Sequence, residues 1–563
     1  MDASLVFTVF LEQEEKTMTQ LPVRACLAVS LAAIVLVAVS CSHSSPSPSS
    51  SLSAPSSPAA AKEGATPQVA KPAGAEGTLS RSGKLFANWP TPKAVLVISG
   101  QMDGYLEPCG CTQGQIGGLI RRADFLGRLK AQNWPIALVD LGSLIKDPGA
   151  ARGGFEQAKI KFGIALRAYS ALDYQAIALS TEDLKVGIGE AFAQFLNNLS
   201  DSNRVVVANV QPAAGFESRI SASHVIQAGP LKIGVTAVVD PEALNRLVDP
   251  DKHELLTSIK RPDEVLGGVL AELRSQSDYQ VLLVQGPPEL AKRLATAYPG
   301  LDIVVASSEF TDVLESEPLM LNGGKTMVVS VGRRGKCVGA VGFFPDEPQR
   351  MRFHLVTLIS RFNGPGAAVK HIIEDEYRNM LKAAGTVENF PRHDYSAGTA
   401  GAGFVGAESC RCCHPNTFNK WSSTKHAQAF VALQKDPKPN TVFDAECVTC
   451  HTTGFEYNTG FRSEAATPHL KGNQCENCHG PGSKHAAAPD NLEFRGALKL
   501  TAQLADKNRL CIRCHDEDNS PKFEFASYWS QIVHKGLDDY TNPAVHQGTS
   551  PKVAHTHGAD AAK

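Results

Sequence analysis

The pattern Cys-x-x-Cys-His occurs four times between residues 410 and 515 and constrains the fold more than any other feature. It is the attachment signature of c-type haem, because two thiols at this spacing reach the two vinyl groups of one porphyrin and the adjacent histidine meets the iron. Four haems in roughly 140 residues would supply much of the core, so we expect short helices joined by loops. The predicted attachment residues are Cys410, Cys413, Cys447, Cys450, Cys475, Cys478, Cys511 and Cys514, and the predicted axial ligands beside them are His414, His451, His479 and His515.

Two other uses of paired cysteines are weighed against haem. Tetrahedral zinc sites and thioredoxin-like redox pairs also use Cys-x-x-Cys, but neither needs a histidine after every pair. Here the histidine follows all four pairs, which favours haem. Cys412 lies inside the first pattern at the wrong spacing, so we expect it to be a bystander thiol.

The N-terminus has the pattern of an export signal. Residues 25–40 are apolar and uncharged, which is short for a membrane-spanning helix of about 20 residues and typical of a signal-peptide core. Small residues directly before Cys41 resemble a bacterial lipoprotein processing site, with an uncleaved anchor as the alternative. We therefore expect a protein lipid-anchored through Cys41 on the periplasmic or cell-surface side of a bacterial membrane. The net charge of −2 gives no indication of a nucleic-acid partner.

The composition changes along the chain and predicts several domains. A Ser/Pro/Ala-rich stretch without aromatic residues cannot bury enough apolar surface to fold and is typical of a tether. A glycine-rich stretch before the first haem pattern is predicted to be a linker. The predicted division is a signal peptide at 1–41, a tether at 42–83, an α/β domain at 84–384, a linker at 385–404, a tetrahaem domain at 405–548 and a tail at 549–563.

Within the α/β domain, apolar strand-like runs alternate with amphipathic helical patterns, which indicates a layered α/β fold. The chain as a whole is thus predicted to be multidomain, with a small, mostly helical and irregular haem domain at its C-terminal end. The predicted strands are 94–98, 136–139, 205–207, 233–239, 281–284, 303–305 and 326–330, and the predicted helices are 119–131, 289–297 and 366–384.

Two segments of the haem domain carry a family resemblance. Residues 475–485 read Cys-Glu-Asn-Cys-His-Gly-Pro-Gly-Ser-Lys-His, and residues 421–426 read Trp-Ser-Ser-Thr-Lys-His. Over residues of about 405 to 540 the chain resembles the tetrahaem cytochrome c-554 family, whose members carry electrons from hydroxylamine oxidation. The resemblance implies haems in near-contact pairs, mostly bis-histidine ligation, and one haem with an open position.

The resemblance also implies which histidines bind the irons from the second side. His426, His485 and His534 are the distal ligands that it implies, and His469 is a fourth candidate. If helical, the 12 residues from His414 to His426 span about 18 Å, so His426 is expected to serve a neighbouring haem. Three further histidines, His546, His555 and His557, are expected to be tail residues.

Residues of about 93 to 345 resemble the metallophosphoesterase domain of the 5′-nucleotidase family, with its metal ligands lost. Where the family has Asn-Asp-x-His-Gly, this chain has Gly100-Gln-Met-Asp-Gly104, and Asp-x-Gly-Asp becomes Asp140-Leu-Gly-Ser143. The Gly-Asn-His-Glu and Gly-His-x-His segments become 180–183 and 306–309, while the Gly-Gly-Leu and basic helix persist at 117–123. Phosphatase activity is therefore not expected. A hard ion remains a possible cofactor of the residues Asp103, Glu182, Asp183 and Glu309.

A second cysteine pair follows the first predicted strand. Glu107-Pro-Cys109-Gly-Cys111 offers a Cys-x-Cys unit for a soft metal or for thiol–disulfide exchange. A structural disulfide, for example from one of these cysteines to Cys337, is the alternative, and the sequence does not distinguish them.

Together these patterns predict an exported, membrane-tethered tetrahaem cytochrome that carries electrons between redox proteins. The α/β domain would then dock a partner or sense a substrate. Two alternatives stay open: a multihaem oxidoreductase that acts on a small nitrogen or sulfur compound at an open haem, and a redox-linked metallophosphoesterase.

Overall fold

The computed structural model describes most of the chain after residue 84. The predicted signal peptide, Cys41 and the tether lie outside the described residues, as do Cys109, Cys111 and the three tail histidines. The described residues all fall in one compact unit of the chain. They are residues 85–86, 88–108, 114–212, 219–247, 256–309, 317–364 and 366–538.

The first of two large sheets is built around the central strand β1. Its order is β15-β14-β1-β2-β3-β4-β6, with β1 parallel to β2 and antiparallel to β14. Both faces of β1 are buried, which is typical of a strand with layers on either side. The strands are β1 (Ala94–Ser99), β2 (Ile136–Asp140), β3 (Ala176–Ala178), β4 (Arg204–Val206), β6 (Ile220–Ser221), β14 (Cys337–Phe343) and β15 (Met351–Thr357).

The second sheet has the order β12-β13-β11-β10-β8-β7, with a parallel centre and antiparallel edges. A small antiparallel pair completes the strands. The members are β7 (Ser223–Ala228), β8 (Leu231–Val239), β10 (Tyr279–Gln285), β11 (Ile303–Ala306), β12 (Leu319–Leu321) and β13 (Thr326–Val329), and the small pair is β5 (Val210–Pro212) with β9 (Leu256–Ile259).

The two sheets face each other, and helices cover their outer faces. Alternate residues of β1 enter different cores: Leu96 packs between the sheets, whereas Val97 packs against helices. The second sheet buries Leu282 against its own pair of helices. The covering helices are α1 (Leu119–Lys130), α2 (Gly154–Leu172), α3 (Ile188–Asn198), α4 (Pro241–Leu247), α5 (Pro262–Gln276) and α6 (Pro288–Ala297).

The predicted layered α/β domain is confirmed by these sheets, and each predicted strand is found within two residues of its expected bounds. The predicted helix over 366–384 is also present, as α7 (Ala367–His371) and α8 (Tyr377–Ala384) joined by a π-helical turn at Ile372–Glu376. The sequence analysis did not predict the buried helix α2 or the antiparallel strands β14 and β15.

The C-terminal part consists of short helices joined by loops, as predicted. Its apolar core is small and includes Phe430, Val448 and Phe461. The helices are α9 (Glu408–Arg411), α10 (Pro415–Ser422), α11 (Ala429–Gln434), α12 (Ala445–His451), α13 (Cys475–His479), α14 (Ser483–Ala487), α15 (Leu492–Ala497), α16 (Ala502–Lys507) and α17 (Phe525–Ile532).

The stretch predicted to be a linker packs against this C-terminal core. Val387 and Phe404 are buried in it, and the Phe390 ring lies 4.5 Å from the Phe455 ring. Large apolar side chains between the glycines therefore anchor a segment whose composition alone indicates a loose connection. Throughout the described residues, no helix is both long enough and apolar enough to cross a membrane.

Candidate haem-binding site

Each of the four attachment patterns lies on a helical turn. Motif 2 (447–451) lies on α12 and motif 3 (475–479) forms α13, whereas motif 1 (410–414) begins on α9 and motif 4 (511–515) begins on a 3₁₀ turn. Residues three apart on a helix lie on one face, so the two thiols of each motif point to the same side. The sequence spacing thus becomes a paired attachment point.

The structure brings three attachment histidines close to three of the predicted distal histidines, with their ring planes tilted by 41° to 57°. Metal–nitrogen bonds of about 2 Å on both sides of one iron place two imidazole centroids roughly 6 Å apart. The observed separations match this value, which indicates room for one iron in each pair. The pairs are His414 with His485 at 6.3 Å, His426 with His515 at 6.1 Å, and His479 with His534 at 5.7 Å.

Hydrogen bonds orient several of these rings. The Nδ1–H of His451 donates to the Ala429 carbonyl at 2.5 Å, and that of His479 donates to the Leu498 carbonyl at 2.7 Å. The Nδ1 atom of His515 lies 3.2 Å from the Ser520 hydroxyl. The carbonyl acceptors at Nδ1 fix the tautomers of His451 and His479 and leave Nε2 as the ligand atom.

Burial keeps most of these rings in the form that binds metal. It lowers the pKa of His426, with no opposing charge, and it lowers the pKa of His479 although the Leu498 carbonyl opposes the shift. The pKa values of His414, His485 and His515 are lowered for the same main reason. Only a neutral imidazole has a lone pair for iron, so burial favours ligation.

The four motifs contact one another in an order that differs from their order in the sequence. The Cys410 and Cys475 side chains lie close to each other, as do those of Cys450 and Cys514. Cys478 and Cys511 line the same cavity. The contacts therefore run from motif 1 to motif 3, then to motif 4 and to motif 2.

Glu476, which directly follows the first cysteine of motif 3, helps to hold motif 1 in place. Its buried carboxylate accepts hydrogen bonds from the backbone N–H groups of Val405, Gly406 and Gly482. Burial raises its pKa, and these three donors oppose the shift. The sequence analysis did not identify this role, because Glu476 is about 70 residues away from the motif 1 segment that it holds.

The fourth attachment histidine, His451, faces no second histidine ring among the described residues. The predicted candidate His469 is exposed on a 3₁₀ turn at Pro468–Leu470. Its role as a distal ligand gains no support from this geometry and stays a prediction.

A cavity of about 930 Å³ surrounds one of the histidine pairs. This volume lies within the range of about 300–1,000 Å³ typical of cofactor sites. The wall contains His426, His515 and the motif 4 thiols, and the Phe523 ring stacks on His515 at 5.0 Å. An apolar, aromatic wall around two facing imidazoles fits a porphyrin. Residues 149–152 of the α/β domain also line this cavity.

The predicted hard-ion site in the α/β domain is not assembled. Among the residues that the structure describes, no group of three or more His, Cys, Asp or Glu side chains lies close enough to hold an ion. Asp103 instead accepts two hydrogen bonds of 2.8 Å from Arg333. Asp183 is buried and accepts backbone N–H groups, Glu182 pairs with Lys185, and Glu309 is exposed.

A second arginine lies against Asp140, the other aspartate that the sequence motifs place on this scaffold. Arg122 and Asp140 are both almost fully buried, with 3.9 Å between their nearest charged atoms. Tyr169 donates a 2.7 Å hydrogen bond to Asp140 and accepts one of 2.8 Å from Arg122. A guanidinium thus faces each aspartate where a hydrolase of this kind needs cations. These arginines were not predicted from the sequence, because no residue spacing in it indicates which aspartates they contact.

Comparison with known proteins connects the C-terminal region to one family. Residues 409–480 match the family model "Cytochrome c554 and c-prime". The chain is 32% identical over 138 residues to cytochrome c-554 of Nitrosomonas europaea. The C-terminal region resembles the cytochrome c554 family. The match covers 21% of this chain and 59% of that relative, so the chain spans less than two thirds of the curated protein. The resemblance predicted from the sequence is confirmed, and it supports covalently bound c-type haems.

The α/β part is similar to solved phosphoesterase structures. One is a 5′-nucleotidase precursor from Thermus thermophilus, with a TM-score of 0.42, 17% identity, and coverage of 64% of this chain and 74% of that one. Another is the calcineurin-like phosphoesterase YfkN from Bacillus subtilis, with a TM-score of 0.41, 16% identity, and coverage of 52% and 98%. The likeness concerns the fold alone.

Proposed function

We propose that this protein is a tetrahaem c-type cytochrome that carries electrons between redox proteins. The observation that supports it most is the set of three histidine pairs with ring separations of 5.7 to 6.3 Å, each containing one attachment histidine. Each bound haem supplies a one-electron carrier. The chain sets its ligands, its burial and its neighbours.

The proposed sites follow from the motifs and the ring pairs. The thioether residues are Cys410 with Cys413, Cys447 with Cys450, Cys475 with Cys478, and Cys511 with Cys514. The proposed ligand sets are His414 with His485 for motif 1, His451 for motif 2, His479 with His534 for motif 3, and His515 with His426 for motif 4.

In the proposed function, the contacts between motifs have a direct role in electron transfer. The Cys410–Cys475 and Cys450–Cys514 contacts hold attachment points of different haems side by side. Close attachment points place the cofactors near one another, and proximity is what electron exchange requires. The order of motif 1, 3, 4 and 2 makes motifs 1 and 2 the ends of the path.

Export and tethering are part of the proposal. The apolar segment 25–40 followed by Cys41 supports a lipoprotein, attached to a bacterial membrane on its periplasmic or cell-surface side. Residues 42–83 would then be the tether. The proposed partners are redox proteins in that compartment.

The α/β domain is proposed to lack phosphatase activity. Arg333 bonds to Asp103 and Arg122 lies against Asp140, so fixed guanidinium groups occupy the surroundings of both aspartates. A two-metal hydrolase needs these carboxylates for its cations.

A second candidate function rests on motif 2. Because no histidine ring faces His451 among the described residues, the haem of motif 2 is a candidate for binding a small nitrogen or sulfur compound. In that case the other three haems would deliver or remove the electrons of an oxidoreductase.

Haem counting and electron paramagnetic resonance test both functions on the full chain, made in a host that attaches c-type haem. The carrier proposal expects a denatured mass raised by four haems and a pyridine haemochrome spectrum for four. A chain with fewer haems would contradict it. Four low-spin irons would reject the second candidate, whereas one high-spin iron that binds nitric oxide or hydroxylamine would support it.

A further inference from the structure

The α/β domain contacts the haem domain on the segments that flank motifs 2 and 4. Asp444 and Glu446 lie directly before motif 2, and Asp516 and Asp518 lie directly after motif 4. Basic residues of the α/β domain meet all four of these acids. The pairs are Arg378 with Asp444, Lys161 with Glu446, Arg152 with Asp516, and both Arg334 and Lys336 with Asp518.

One of these contacts is buried and the others are partly buried, and neutral hydrogen bonds accompany them. The Arg378 and Asp444 side chains are 6% and 5% exposed, so their pairing excludes water. Gln157 donates a 2.7 Å hydrogen bond to Asp444, and Gln115 donates one of 2.6 Å to the Asp518 carbonyl. Buried pairs that are hydrogen-bonded on several sides fix relative positions. The α/β domain is therefore attached rigidly beside motifs 2 and 4.

Arg152 extends from this interface into the wall of the haem cavity. It lies between the 3₁₀ turn Pro148–Ala150 and helix α2, and it lines the same cavity as His426 and His515. Its guanidinium donates 2.8 Å hydrogen bonds to the Arg513 carbonyl, between the cysteines of motif 4, and to Asp516. The same cavity is lined by Cys514 of motif 4 and by Thr449, which lies between the two cysteines of motif 2.

We propose that the α/β domain forms one wall of the haem chamber and that Arg152 raises the reduction potentials of the haems at motifs 2 and 4. A ferric haem carries one more positive charge than a ferrous haem. A fixed cation beside it therefore disfavours the oxidised state, and the effect is strong where water is excluded. The reaction is the uptake of one electron by the iron, with no proton and no bond exchanged. This inference rests on the proposed attachment of four haems.

The test is a potentiometric titration of the full haem-loaded chain, followed by visible spectroscopy, for wild type and R152Q. Two of the four haems should shift to lower potential. At a fixed ambient potential their ferric-to-ferrous ratio should rise about fivefold or more, where a tenfold change corresponds to about 59 mV for one electron. The other two haems should titrate as in wild type. R152Q with four haems and an unchanged titration would overturn the proposal, as would an equal shift of all four.

Two further variants separate charge from packing. R167Q removes an arginine of the neighbouring helix α2, which pairs with Glu376 and is 43% exposed, and it should titrate as wild type. R152K keeps the positive charge, so it should retain wild-type potentials and haem content. If R152Q binds fewer than four haems and R152K binds four, a positive charge at this position is required for haem binding. If R152K also binds fewer haems, or if its reduction potentials shift as those of R152Q do, the charge of Arg152 is not the cause of the effect. Failure of the wild-type chain to bind four haems would instead refute the proposed function.

Discussion

At the scale of single residues, the contacts of the histidine rings determine which iron each ring can reach. His426 lies 6.1 Å from His515 and not beside the motif that precedes it in the sequence. A ligand contributed from a distant segment connects two parts of the chain through one metal. On the proposed ligation, the distal histidines would therefore link helices that share little apolar core.

The substitution H426A is expected to remove one ligand from the haem of motif 4. That iron should change from low spin to high spin, because a five-coordinate iron has a weaker ligand field. Electron paramagnetic resonance and the visible spectrum of the loaded protein measure this change. H371A is the matched control and should leave the spin states unchanged, since His371 is exposed and lies in the α/β domain. A low-spin spectrum for H426A identical to that of wild type would contradict the assignment.

A buried carboxyl in the α/β domain predicts how stability varies with pH. Burial raises the pKa of Asp183 to about 7, against hydrogen bonds from Ser180 and two backbone N–H groups. Between pH 4 and pH 7 the folded state then holds a proton that the unfolded state has lost. The contribution of Asp183 to the free energy of unfolding is therefore fully present below pH 4. It is lost as the pH rises towards 7, and the loss is at most about 4 kcal/mol.

Urea unfolding at pH 5 and pH 8, followed by circular dichroism, measures this dependence. D183N cannot ionise, so the difference between the two pH values should shrink relative to wild type. D201N alters an exposed aspartate of the same domain and should keep the wild-type difference. An equal difference in wild type and D183N would show that Asp183 does not titrate in this window.

At the scale of elements, the start of helix α12 connects haem attachment to the α/β domain. The Asp444 side chain accepts hydrogen bonds from the N–H groups of Glu446 and Cys447 and so caps the helix that carries motif 2. The same carboxylate pairs with Arg378 on α8. One residue thus begins a haem-bearing helix and neutralises a buried cation of the neighbouring domain.

The substitution D444A should destabilise the protein by about 3–5 kcal/mol, because it removes the cap and leaves the Arg378 cation buried with fewer partners. Urea unfolding of the loaded protein measures the change. N491A is the matched control: Asn491 caps α15 in the same way but is exposed, so its loss should cost about 1 kcal/mol. Equal effects of the two substitutions would show that the ion pair adds nothing.

At the scale of the whole molecule, the acidic residues of the α/β domain are expected not to bind calcium. Metal analysis of the full chain should find four irons and no stoichiometric calcium, because Asp103 is paired with Arg333 and the described acidic side chains form no group that could hold an ion. Treatment with EDTA should leave the urea midpoint unchanged, since a chelator does not remove covalently attached haem. A midpoint that falls with EDTA and recovers with calcium would reveal an ion site.

Part of this architecture can be predicted from the sequence, because it depends on residues that are close together in the chain. The thiols of each motif are three residues apart, and strands such as β1 and β10 are short continuous apolar runs. The family resemblance selected His426, His485 and His534, but only the fold indicates which motif each one faces. Helix α2 escaped prediction because it is buried on several sides and shows no clear apolar stripe.

Contacts between residues that are far apart in the sequence could not be predicted from it. Nothing in the spacing of Arg152, Arg122 or Arg333 indicates that the first lines the large cavity or that the others face aspartates of the α/β domain. Each contact forms only when segments far apart in the chain meet. The composition of 385–404 predicts a linker and does not indicate the packing of Val387, because the glycines are a local feature and that packing is not.

The order in which the motifs touch has a consequence for biogenesis. Motifs 1 and 2 are neighbours in the sequence, yet each touches a motif that is synthesised later: Cys410 meets Cys475, and Cys450 meets Cys514. On the proposed function, a nascent chain that ends after motif 2 would hold two haems whose motifs are not in contact. All four haems could exchange electrons only after motif 4 has been made, because motif 4 lies between motif 2 and motif 3.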